Sequence, residues 1–504
     1  MIVRFLIDTA ARDPDAPAVI SGTERLSYGE LLEAVRRDAA RLHGAGVRAG
    51  SRVAVLDANT VGFLISTFSV AWLGAVLQPL NTRLSPRELA EILRDAETKV
   101  LLAGESLRST AEPLAREVEG LEVLDCGHPF GARPAAQLPT PDPVPRDPGS
   151  LAHLYTTSGT TGRPKGVCLT HGNVVVHARN VVRELGIGPG DRWGHFAPMF
   201  HLADAWANLA LTLVGGVHVL LPRFDADAAL ECIERDRVTL TNLVPTMLTR
   251  MVAAATKRSF DPASLRLILS GGAPITPALV RRVLQTFRCE YVQTYGMTET
   301  SPYLTLGILT DELRALPEPQ RLAYLARTGR PFAGIDLEVV DEQGREVPRD
   351  DRTVGEIRVR GASVSPGYWR RPEETREVFR DGWLYTGDLA VIEEHGYVNI
   401  VDRKKDMILS GGENVYSAEV ESVLAEHPAV QEVAVFALPD EDLGERVAAA
   451  IVLHEGERAE ESELRAWCRE RIAHYKVPRE VRFLEELPRT GSGKVSKKVL
   501  REGR

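Results

Sequence analysis

Tyr155-Thr156-Thr157-Ser158-Gly159-Thr160-Thr161-Gly162-Arg163-Pro164-Lys165-Gly166-Val167 is the most informative segment of the chain, because it concentrates hydroxyls, glycines and two cations in one turn-prone stretch. Glycines let backbone N–H groups converge on an anion, and hydroxyls add further donors. Lys165 supplies a point charge to the same anion. Apolar residues on both sides, such as Leu154 and Leu169, predict a strand before and after the segment. The segment is therefore predicted to hold a polyphosphate.

The spacing of the segment is not that of the common P-loop. That loop has the pattern Gly-x-x-x-x-Gly-Lys-Ser/Thr at the start of a helix, whereas here Gly159, Gly162 and Lys165 fall three apart, with Pro164 before the lysine. A flexible surface loop is the alternative for such a composition. The order of residues 157–166, however, resembles residue for residue the phosphate loop of the adenylate-forming superfamily, which contains acyl-CoA synthetases, peptide-synthetase adenylation domains and luciferases.

Two further motifs at the ends of predicted strands carry the same resemblance. Ser270-Gly271-Gly272-Ala273-Pro274 follows an apolar strand, and Tyr295-Gly296-Met297-Thr298-Glu299-Thr300 follows Tyr291-Val292-Gln293. Ligands gather at such strand ends in open α/β sheets. The resemblance implies the following ATP and Mg²⁺ contacts: Thr157, Ser158, Gly159, Thr160, Thr161, Gly162, Lys165 and Thr298 for the phosphates, Gly272, Ala273, Pro274, Tyr295 and Gly296 for adenine, and Glu299 with Thr157 for Mg²⁺.

Two motifs in the last quarter of the chain complete the pattern. Tyr385-Thr386-Gly387-Asp388 is followed by Arg403, and the resemblance assigns Asp388 and Arg403 to the ribose. Pro488-Arg489-Thr490-Gly491-Ser492-Gly493-Lys494-Val495 lacks the Gly and Ser/Thr that a P-loop requires. It matches the family's catalytic lysine at Lys494, which would bridge the carboxylate and the α-phosphate.

The resemblance also implies a second half-reaction, in which a small C-terminal domain swings about a charged hinge. Lys405 matches the pivot of this hinge. The movement would bring Ser410-Gly411-Gly412-Glu413-Asn414 to the site, where Gly411 and Gly412 would line a narrow channel for CoA. A thiol is a competent nucleophile towards an acyl adenylate, so this step requires no strong general base.

Pro198-Met199-Phe200-His201 matches the segment that lines the acyl and thiol channel in this family. The resemblance implies that His201 lies beside the reacting carboxylate as a catalytic and gating residue. Asp204 either faces the acyl tunnel, which would favour a polar or cationic acid, or points to solvent. Trp206 either caps the pocket or is a core tryptophan. The residues around Trp206 and the insertion at 304–325 look most like medium- and long-chain fatty acyl-CoA synthetases.

Composition limits the class of protein. A chain of 504 residues with 44% hydrophobic and 26% charged residues is expected to form two or three globular domains. A net charge of −9 argues against general nucleic-acid binding. The five cysteines lack metal-ligand spacing and suggest a reducing compartment. No signal peptide or transmembrane segment is predicted, since the most apolar stretch, 61–80, suits a buried helix leading into a strand. We expect a cytoplasmic monomer or homodimer.

The order of predicted elements indicates an α/β fold. Its large N-terminal domain, residues 1–401, combines mostly parallel, helix-covered sheets with a small antiparallel β subdomain from 331 onward. The consecutive charges of residues 402–406 are predicted to form an unburied hinge. Residues 407–504 then form a small, mobile α+β domain. The cations near Lys494, namely Lys497, Lys498 and Arg501, are predicted to lie on a solvated helix face.

The predicted function is that of an ATP-dependent acid–CoA ligase with ATP, Mg²⁺ and CoA as cofactor and substrates. A medium- or long-chain fatty acid or a related acid would be adenylated and then transferred to CoA. The alternative is an adenylating enzyme that passes its acyl group to a carrier-protein thiol or to another acceptor. A non-catalytic scaffold would be expected to lack Lys494, Glu299 or Asp388, and all three are present.

Overall fold

The computed structural model describes residues 2–127, 139–158, 164–489 and 495–503. The chain divides into two compact units, the first formed by Met1–Leu337 with Val359–Leu384 and the second by Glu338–Arg358 with Tyr385–Arg504. The division therefore passes within three strands of the antiparallel subdomain. The predicted hinge at 402–406 lies inside the second unit, and its role as a hinge stays a prediction.

The first part of the chain alternates strands and helices as predicted. The helix Tyr28–Gly44 begins with a capping box between Ser27 and Glu30. Gly46 and Gly50, both at positive φ, then turn the chain into the next strand. The elements are α1 Ile2–Arg12, β1 Pro17–Ser21, β2 Glu24–Ser27, α2 Tyr28–Gly44, β3 Arg52–Leu56, α3 Val61–Trp72, β4 Val76–Pro79, α4 Pro86–Asp95, β5 Val100–Ala103, α5 Arg108–Ala111, α6 Leu114–Glu117 and β6 Glu122–Asp125.

Helix α3 explains why residues 61–80 are so apolar. Every residue of Val61–Trp72 is buried, and a helix that is hydrophobic all round belongs in a core. The prediction of a buried helix followed by a strand, β4, is confirmed. Within the described ranges, no helix is long and apolar enough to cross a membrane.

The second part of the chain continues the βα alternation. Apolar runs in the sequence predict strands at 217–221, 240–244 and 265–270. The first two end one residue earlier than predicted, and the third begins two residues later, at Leu267. The elements are β7 Leu151–Ser158, β8 Pro164–Thr170, α7 His171–Glu184, β9 Arg192–His195, α8 Leu202–Val214, β10 Val217–Leu220, α9 Ala226–Asp236, β11 Leu240–Leu243, α10 Pro245–Ala255, β12 Leu267–Ser270, α11 Pro277–Phe287, β13 Glu290–Gly296, β14 Tyr303–Leu306, α12 Asp311–Arg314, α13 Glu318–Ala326 and β15 Arg330–Pro331.

The remaining chain is rich in strands, which are between two and eleven residues long. From 335 to 403 they are largely antiparallel, as predicted, and the C-terminal part is an α+β module. The elements are β16 Ile335–Val340, β17 Gly355–Gly361, β18 Gly367–Tyr368, α14 Pro372–Val378, β19 Phe379–Arg380, β20 Trp383–Ile392, β21 Val398–Arg403, β22 Ile408–Ser410, β23 Glu413–Val415, α15 Ser417–Ala425, β24 Val430–Asp440, β25 Gly444–Leu453, α16 Glu461–Arg469, β26 Glu480–Phe483 and α17 Lys497–Glu502.

Two large sheets position the residues of interest in the first unit. A nine-stranded sheet has the order β15-β14-β13-β12-β11-β9-β10-β1-β2, and its strands from β13 to β1 run parallel. A seven-stranded sheet has the order β18-β8-β7-β4-β3-β5-β6, with β7 and β8 antiparallel to each other. The α/β class with mostly parallel sheets and a small antiparallel subdomain is confirmed.

Two expectations about charged residues of the second unit are wrong. Asp402 is buried, because its carboxylate accepts hydrogen bonds from the backbone N–H and the hydroxyl of Ser417. Lys497 is not on a solvated face, since its ammonium lies 2.8 Å from the Glu421 carboxylate and its side chain is mostly buried. Burial raises the pKa of both carboxyl groups, and the Lys497 charge opposes that rise.

Candidate active site

The predicted phosphate segment begins and ends in two paired strands of a β-hairpin. Strands β7 and β8 pair antiparallel with Thr157 opposite Lys165 and Ser158 opposite Pro164. The Thr157 hydroxyl lies 3.5 Å from the Lys165 carbonyl oxygen. The flanking strands predicted from the sequence are confirmed, and the strand-to-strand arrangement differs from the strand-to-helix turn of a P-loop. Gly159, Thr160, Thr161 and Gly162 lie outside the described residues.

A short segment, residues 365–369, connects strand β8 with the turn that carries Glu299. We call this segment the strap. Within the strap, Gly367 and Tyr368 pair with Cys168 and Val167 of β8. The Tyr368 hydroxyl donates a hydrogen bond of 2.8 Å to Glu299 Oε1. Sequence reasoning missed Tyr368, because no motif connects it with Glu299.

The adenine-side motifs lie at one edge of the nine-stranded sheet. Strands β12 and β13 are parallel neighbours, so the turn at 271–274 and the residues after Tyr295 emerge at the same edge. Gly272, Ala273 and Pro274 are exposed there. The Gln293 amide, 3.3 Å from the Ala273 carbonyl oxygen, joins the turn to β13. Tyr295 and Thr298 are half-buried, and their contacts with a nucleotide stay predictions.

Glycine at 271 and 296 is required by close backbone approach. A Cβ at Gly271 would lie 2.6 Å from the Thr294 carbonyl oxygen, and a Cβ at Gly296 would lie 1.9 Å from that of Pro302. Both distances are far below any real Cβ contact, so the two motifs contain glycine first for the fold. Their exposed neighbours are the residues that can meet a ligand.

His201 reaches the same edge from the next part of the sheet. It follows β9, which pairs in parallel with β11, and it stands at the N-terminus of α8. Asn59 fixes the segment between β9 and His201, since its amide donates to the His195 and Ala197 carbonyl oxygens at 2.9 and 2.8 Å. The same side chain accepts from Met199 N–H at 2.8 Å. Asn59 is a second residue that sequence reasoning missed.

Asp204 belongs to a buried polar chain, which we call the histidine chain: Asp204, His195, His218 and Thr212. Asp204 has 0% exposure, so its expected alternative orientation towards solvent is wrong. One carboxylate oxygen accepts from Trp193 Nε1 at 3.1 Å, and the other lies 2.6 Å from His195 Nδ1.

The two histidines extend this chain through the sheet. His195 Nε2 lies 3.0 Å from His218 Nδ1, and His218 Nε2 lies 3.1 Å from the Thr212 hydroxyl. Burial, and then the charge of His195, hold the pKa of His218 well below its usual value. Both oxygens of the Asp204 carboxylate are therefore used in a structural chain of hydrogen bonds. This arrangement does not support its predicted place in the acyl pocket.

Trp206, on the same helix as Asp204, packs in a cluster of aromatic rings that come from different elements of the first unit. Its ring centroid lies 4.7 Å from that of Trp193, 5.5 Å from that of Tyr303 and 6.0 Å from that of His177. Phe332 lies 5.3 Å from His177 and completes the cluster. Burial lowers the pKa of His177 to about 3, so this ring is neutral.

Asp388 and Arg403 come together in the second unit. They are opposite residues of the antiparallel pair β20 and β21, and Arg403 Nε lies 3.0 Å from Asp388 Oδ1. Strand register thus joins two residues that the sequence separates widely. Their contact with ribose stays a prediction.

The remaining predicted residues of the second unit divide into two groups. Lys405 is exposed in the turn before β22, and Lys494 lies outside the described residues. Gly411 and Gly412 form the two-residue turn between β22 and β23, with φ of +61° and +86°. Glycine is favoured at both positions of such a turn by backbone conformation alone, so its presence here does not by itself indicate a CoA channel.

The described side chains suit a Mg²⁺ ion that is bound mainly by phosphates, and not one that is enclosed by protein ligands. No group of three or more His, Cys, Asp or Glu side chains that could hold a metal occurs among the residues that the structure describes. Glu299, which has 5% exposure, offers a carboxylate fixed by Tyr368. Mg²⁺ bound to phosphates takes one or two such oxygens, so Glu299 fits the role that the resemblance implies.

Comparison with known proteins agrees with the resemblance to adenylate-forming enzymes along nearly the whole chain. Residues 6–369 match the family model of the AMP-binding enzymes, and residues 419–494 match that of the AMP-binding enzyme C-terminal domain. A feruloyl-CoA synthase from Amycolatopsis is 42% identical over 98% of this chain and 96% of that protein. A long-chain-fatty-acid–CoA ligase from Thermus thermophilus is 37% identical over 95% of this chain and 90% of that protein.

Solved structures agree with these relatives. The o-succinylbenzoate CoA synthetase from Bacillus subtilis, in complex with its acyl-adenylate intermediate, aligns with a TM-score of 0.88 and 32% identity, over 99% of this chain and 98% of that one. The same enzyme in complex with ATP and a magnesium ion aligns with a TM-score of 0.84 and 31% identity over the same shares of both chains.

Proposed function

We propose that this chain, which belongs to the AMP-binding enzyme family and to its acid–CoA ligases, acts on an aromatic carboxylic acid. ATP, Mg²⁺ and CoA are the cofactor and substrates of this family of ligases. The fatty acid expected from the sequence is one of several acids that the relatives' names include, so the acid is the open part of the function.

The observation that carries the proposal is the aromatic cluster of Trp206, Tyr303 and His177, since Trp206 lies on helix α8, which begins directly after His201. Aromatic rings pack favourably edge-to-face or offset against another ring. They therefore interact more favourably with a planar aromatic acid than with a flexible alkyl chain. The greater identity to feruloyl-CoA synthase than to the fatty-acid ligase supports the same choice.

The proposed reaction has two steps. A carboxylate oxygen of the acid attacks the α-phosphate of ATP, and the bond to pyrophosphate breaks. The thiolate of CoA then attacks the acyl carbon, and AMP leaves. Mg²⁺, when bound, neutralises negative charge on the phosphate oxygens.

The chain's own residues bind and orient the reactants in these steps. Lys165 and the hairpin tip hold the phosphates, since a fixed cation and N–H donors stabilise the charge that develops there. Asp388 and Arg403 hold the ribose. Lys494 stays the predicted residue that brings the carboxylate and the α-phosphate together.

A panel of acids tests this function. Pyrophosphate release is measured with ferulic, cinnamic, benzoic, 4-hydroxybutyric and o-succinylbenzoic acids and with saturated acids from butyric to palmitic, with and without CoA. We expect CoA-dependent turnover that is greatest for a phenylpropenoic acid. A maximum with a long saturated acid would overturn the aromatic proposal, and release that CoA does not change would indicate another acyl acceptor.

A long-chain fatty acid is the second candidate, because the 37% identical relative carries that name. A Trp206→Leu variant separates the two candidates. If the ring packs against the acid, the variant loses activity with aromatic acids more than with palmitic acid. Equal loss with both would mean that Trp206 is only a core residue.

A further inference from the structure

We propose that Tyr368 is a positioning residue that aligns the Mg²⁺ carboxylate and the phosphate-binding lysine by contacting both. The inference rests on the proposed function, because it takes Glu299 as a Mg²⁺ ligand and Lys165 as a contact of the ATP phosphates. Neither the motifs nor the relatives assign a role to Tyr368.

The hydroxyl end of Tyr368 orients Glu299. It donates a hydrogen bond of 2.8 Å to Glu299 Oε1, and a hydrogen bond to a charged acceptor is stronger than a neutral one. An ordinary phenol, with a pKa of about 10, keeps its proton at physiological pH and can therefore act as the donor to this carboxylate. The carboxylate is thus held in one rotamer before a metal arrives.

The ring of Tyr368 contacts Lys165. The lysine ammonium lies 5.2 Å from the ring centroid, within the range of a cation–π interaction. Such a contact restrains a flexible side chain while the ammonium keeps its charge for an anion. One side chain therefore restrains both a negative and a positive group of the site.

The backbone around Tyr368 is fixed well enough for this role. Tyr368 N–H donates to the Thr375 hydroxyl at 3.0 Å, and Trp369 N–H donates to the Gly166 carbonyl oxygen at 2.7 Å. At the other end of the strap, Ser365 N–H donates to the Glu299 carbonyl oxygen at 2.7 Å. The strap thus ties strand β8 to the turn that carries Glu299, and Tyr368 makes the corresponding side-chain connection.

The two contacts of Tyr368 can be separated by substitution. Tyr368→Phe removes the hydroxyl and keeps the ring, so it should affect Mg²⁺ alone. Tyr368→Leu removes the ring as well, so it should also weaken the contribution of Lys165. Tyr28→Phe is the matched control, because the Tyr28 hydroxyl also donates a buried hydrogen bond, at 2.6 Å to the Gly216 carbonyl oxygen.

The test measures ATP binding by titration calorimetry at low and at saturating Mg²⁺, together with pyrophosphate release as a function of free Mg²⁺. For Tyr368→Phe we expect about a tenfold higher Mg²⁺ concentration at half-maximal rate, with nearly unchanged kcat at saturating Mg²⁺. For Tyr368→Leu we expect ATP binding at saturating Mg²⁺ to weaken by a further factor of about three. Tyr28→Phe should lower Tm and leave the Mg²⁺ dependence unchanged.

Three results would overturn the inference. An unchanged Mg²⁺ requirement in Tyr368→Phe, in a protein whose wild type binds ATP in a Mg²⁺-dependent way, would refute the role of Tyr368 and leave the proposed function standing. A wild type that binds no ATP and releases no pyrophosphate with any acid would refute both. A shift of equal size in Tyr28→Phe would show that the effect belongs to general loss of stability.

Discussion

Two polar clusters of the first unit each contain a buried carboxylate, and this carboxylate has a different function in each cluster. The phosphate-side cluster, Lys165, Tyr368 and Glu299, lies next to the hairpin tip and joins groups that also suit a ligand. The histidine chain is closed: its members bond to one another and to the core. The difference teaches that a carboxylate's function depends on whether its partner restrains it for a ligand or commits it to the fold.

Replacement of Glu299 gives the largest expected effect on catalysis. Glu299→Gln keeps the acceptor for Tyr368 but removes the charge that holds Mg²⁺, so we expect pyrophosphate release to fall by about a hundredfold or more. The measurement is the steady-state rate at saturating ATP, acid and Mg²⁺, with Tm recorded beside it.

The matched control is Glu91→Gln, a neutral replacement on the exposed surface of α4. It should leave rate and Tm unchanged. A Glu299→Gln variant with nearly wild-type rate would mean that the phosphate-side cluster is as structural as the histidine chain.

Replacement of Asp204 should act on stability instead. Asp204→Asn keeps the shape but leaves His195 and Trp193 without a charged acceptor, so we expect the free energy of unfolding to fall by about 3 kcal/mol. Denaturant unfolding measures this loss, and titration calorimetry should show unchanged ATP affinity. Weakened ATP binding with unchanged stability would reverse the assignment and place Asp204 in the site.

Acid pH should lower stability through another buried side chain, His177 of the aromatic cluster, and the expected effect is smaller. Burial lowers the pKa of His177 to about 3, whereas an unfolded histidine has a pKa near 6.5. Between these values the unfolded state binds the additional proton, so stability is complete above about pH 6.5 and is lost as pH falls. We expect His177→Phe to reduce this slope by about 1 kcal/mol per pH unit.

Denaturant unfolding of both proteins between pH 7.5 and pH 4.5 measures that slope. Replacement of the exposed His395 by Phe is the control, because this side chain lies at the surface and outside the aromatic cluster. Equal slopes for wild type and His177→Phe would contradict the burial of a neutral His177 in the aromatic cluster.

The sequence predicted the parts of the molecule that depend on local pattern. Period and apolar content identified α3 as a buried helix, and residues 155–167 predicted a phosphate-binding loop with a strand on either side. Strand ends identified the turns at 271–274 and 296–299, because parallel neighbours open at a common edge. These features follow from contiguous residues.

The parts that escaped prediction depend on distant partners. Tyr368 and Glu299 are 69 positions apart, and only strand pairing brings them together. His195 and His218 belong to no motif in the sequence, and their meeting with Asp204 required the order of β9 and β10 in the sheet. Asp402 looked exposed because five charges are consecutive, but Ser417 and Lys497 compensate its burial.

Transfer of a labelled oxygen tests the central claim most directly. Ferulic acid labelled with ¹⁸O in its carboxylate is incubated with the wild-type protein, ATP, Mg²⁺ and CoA, and the nucleotide product is analysed by mass spectrometry. If the carboxylate attacks the α-phosphate, AMP carries one ¹⁸O and feruloyl-CoA forms with it. Label-free AMP, or ADP as the product, would contradict adenylation of the acid by this chain.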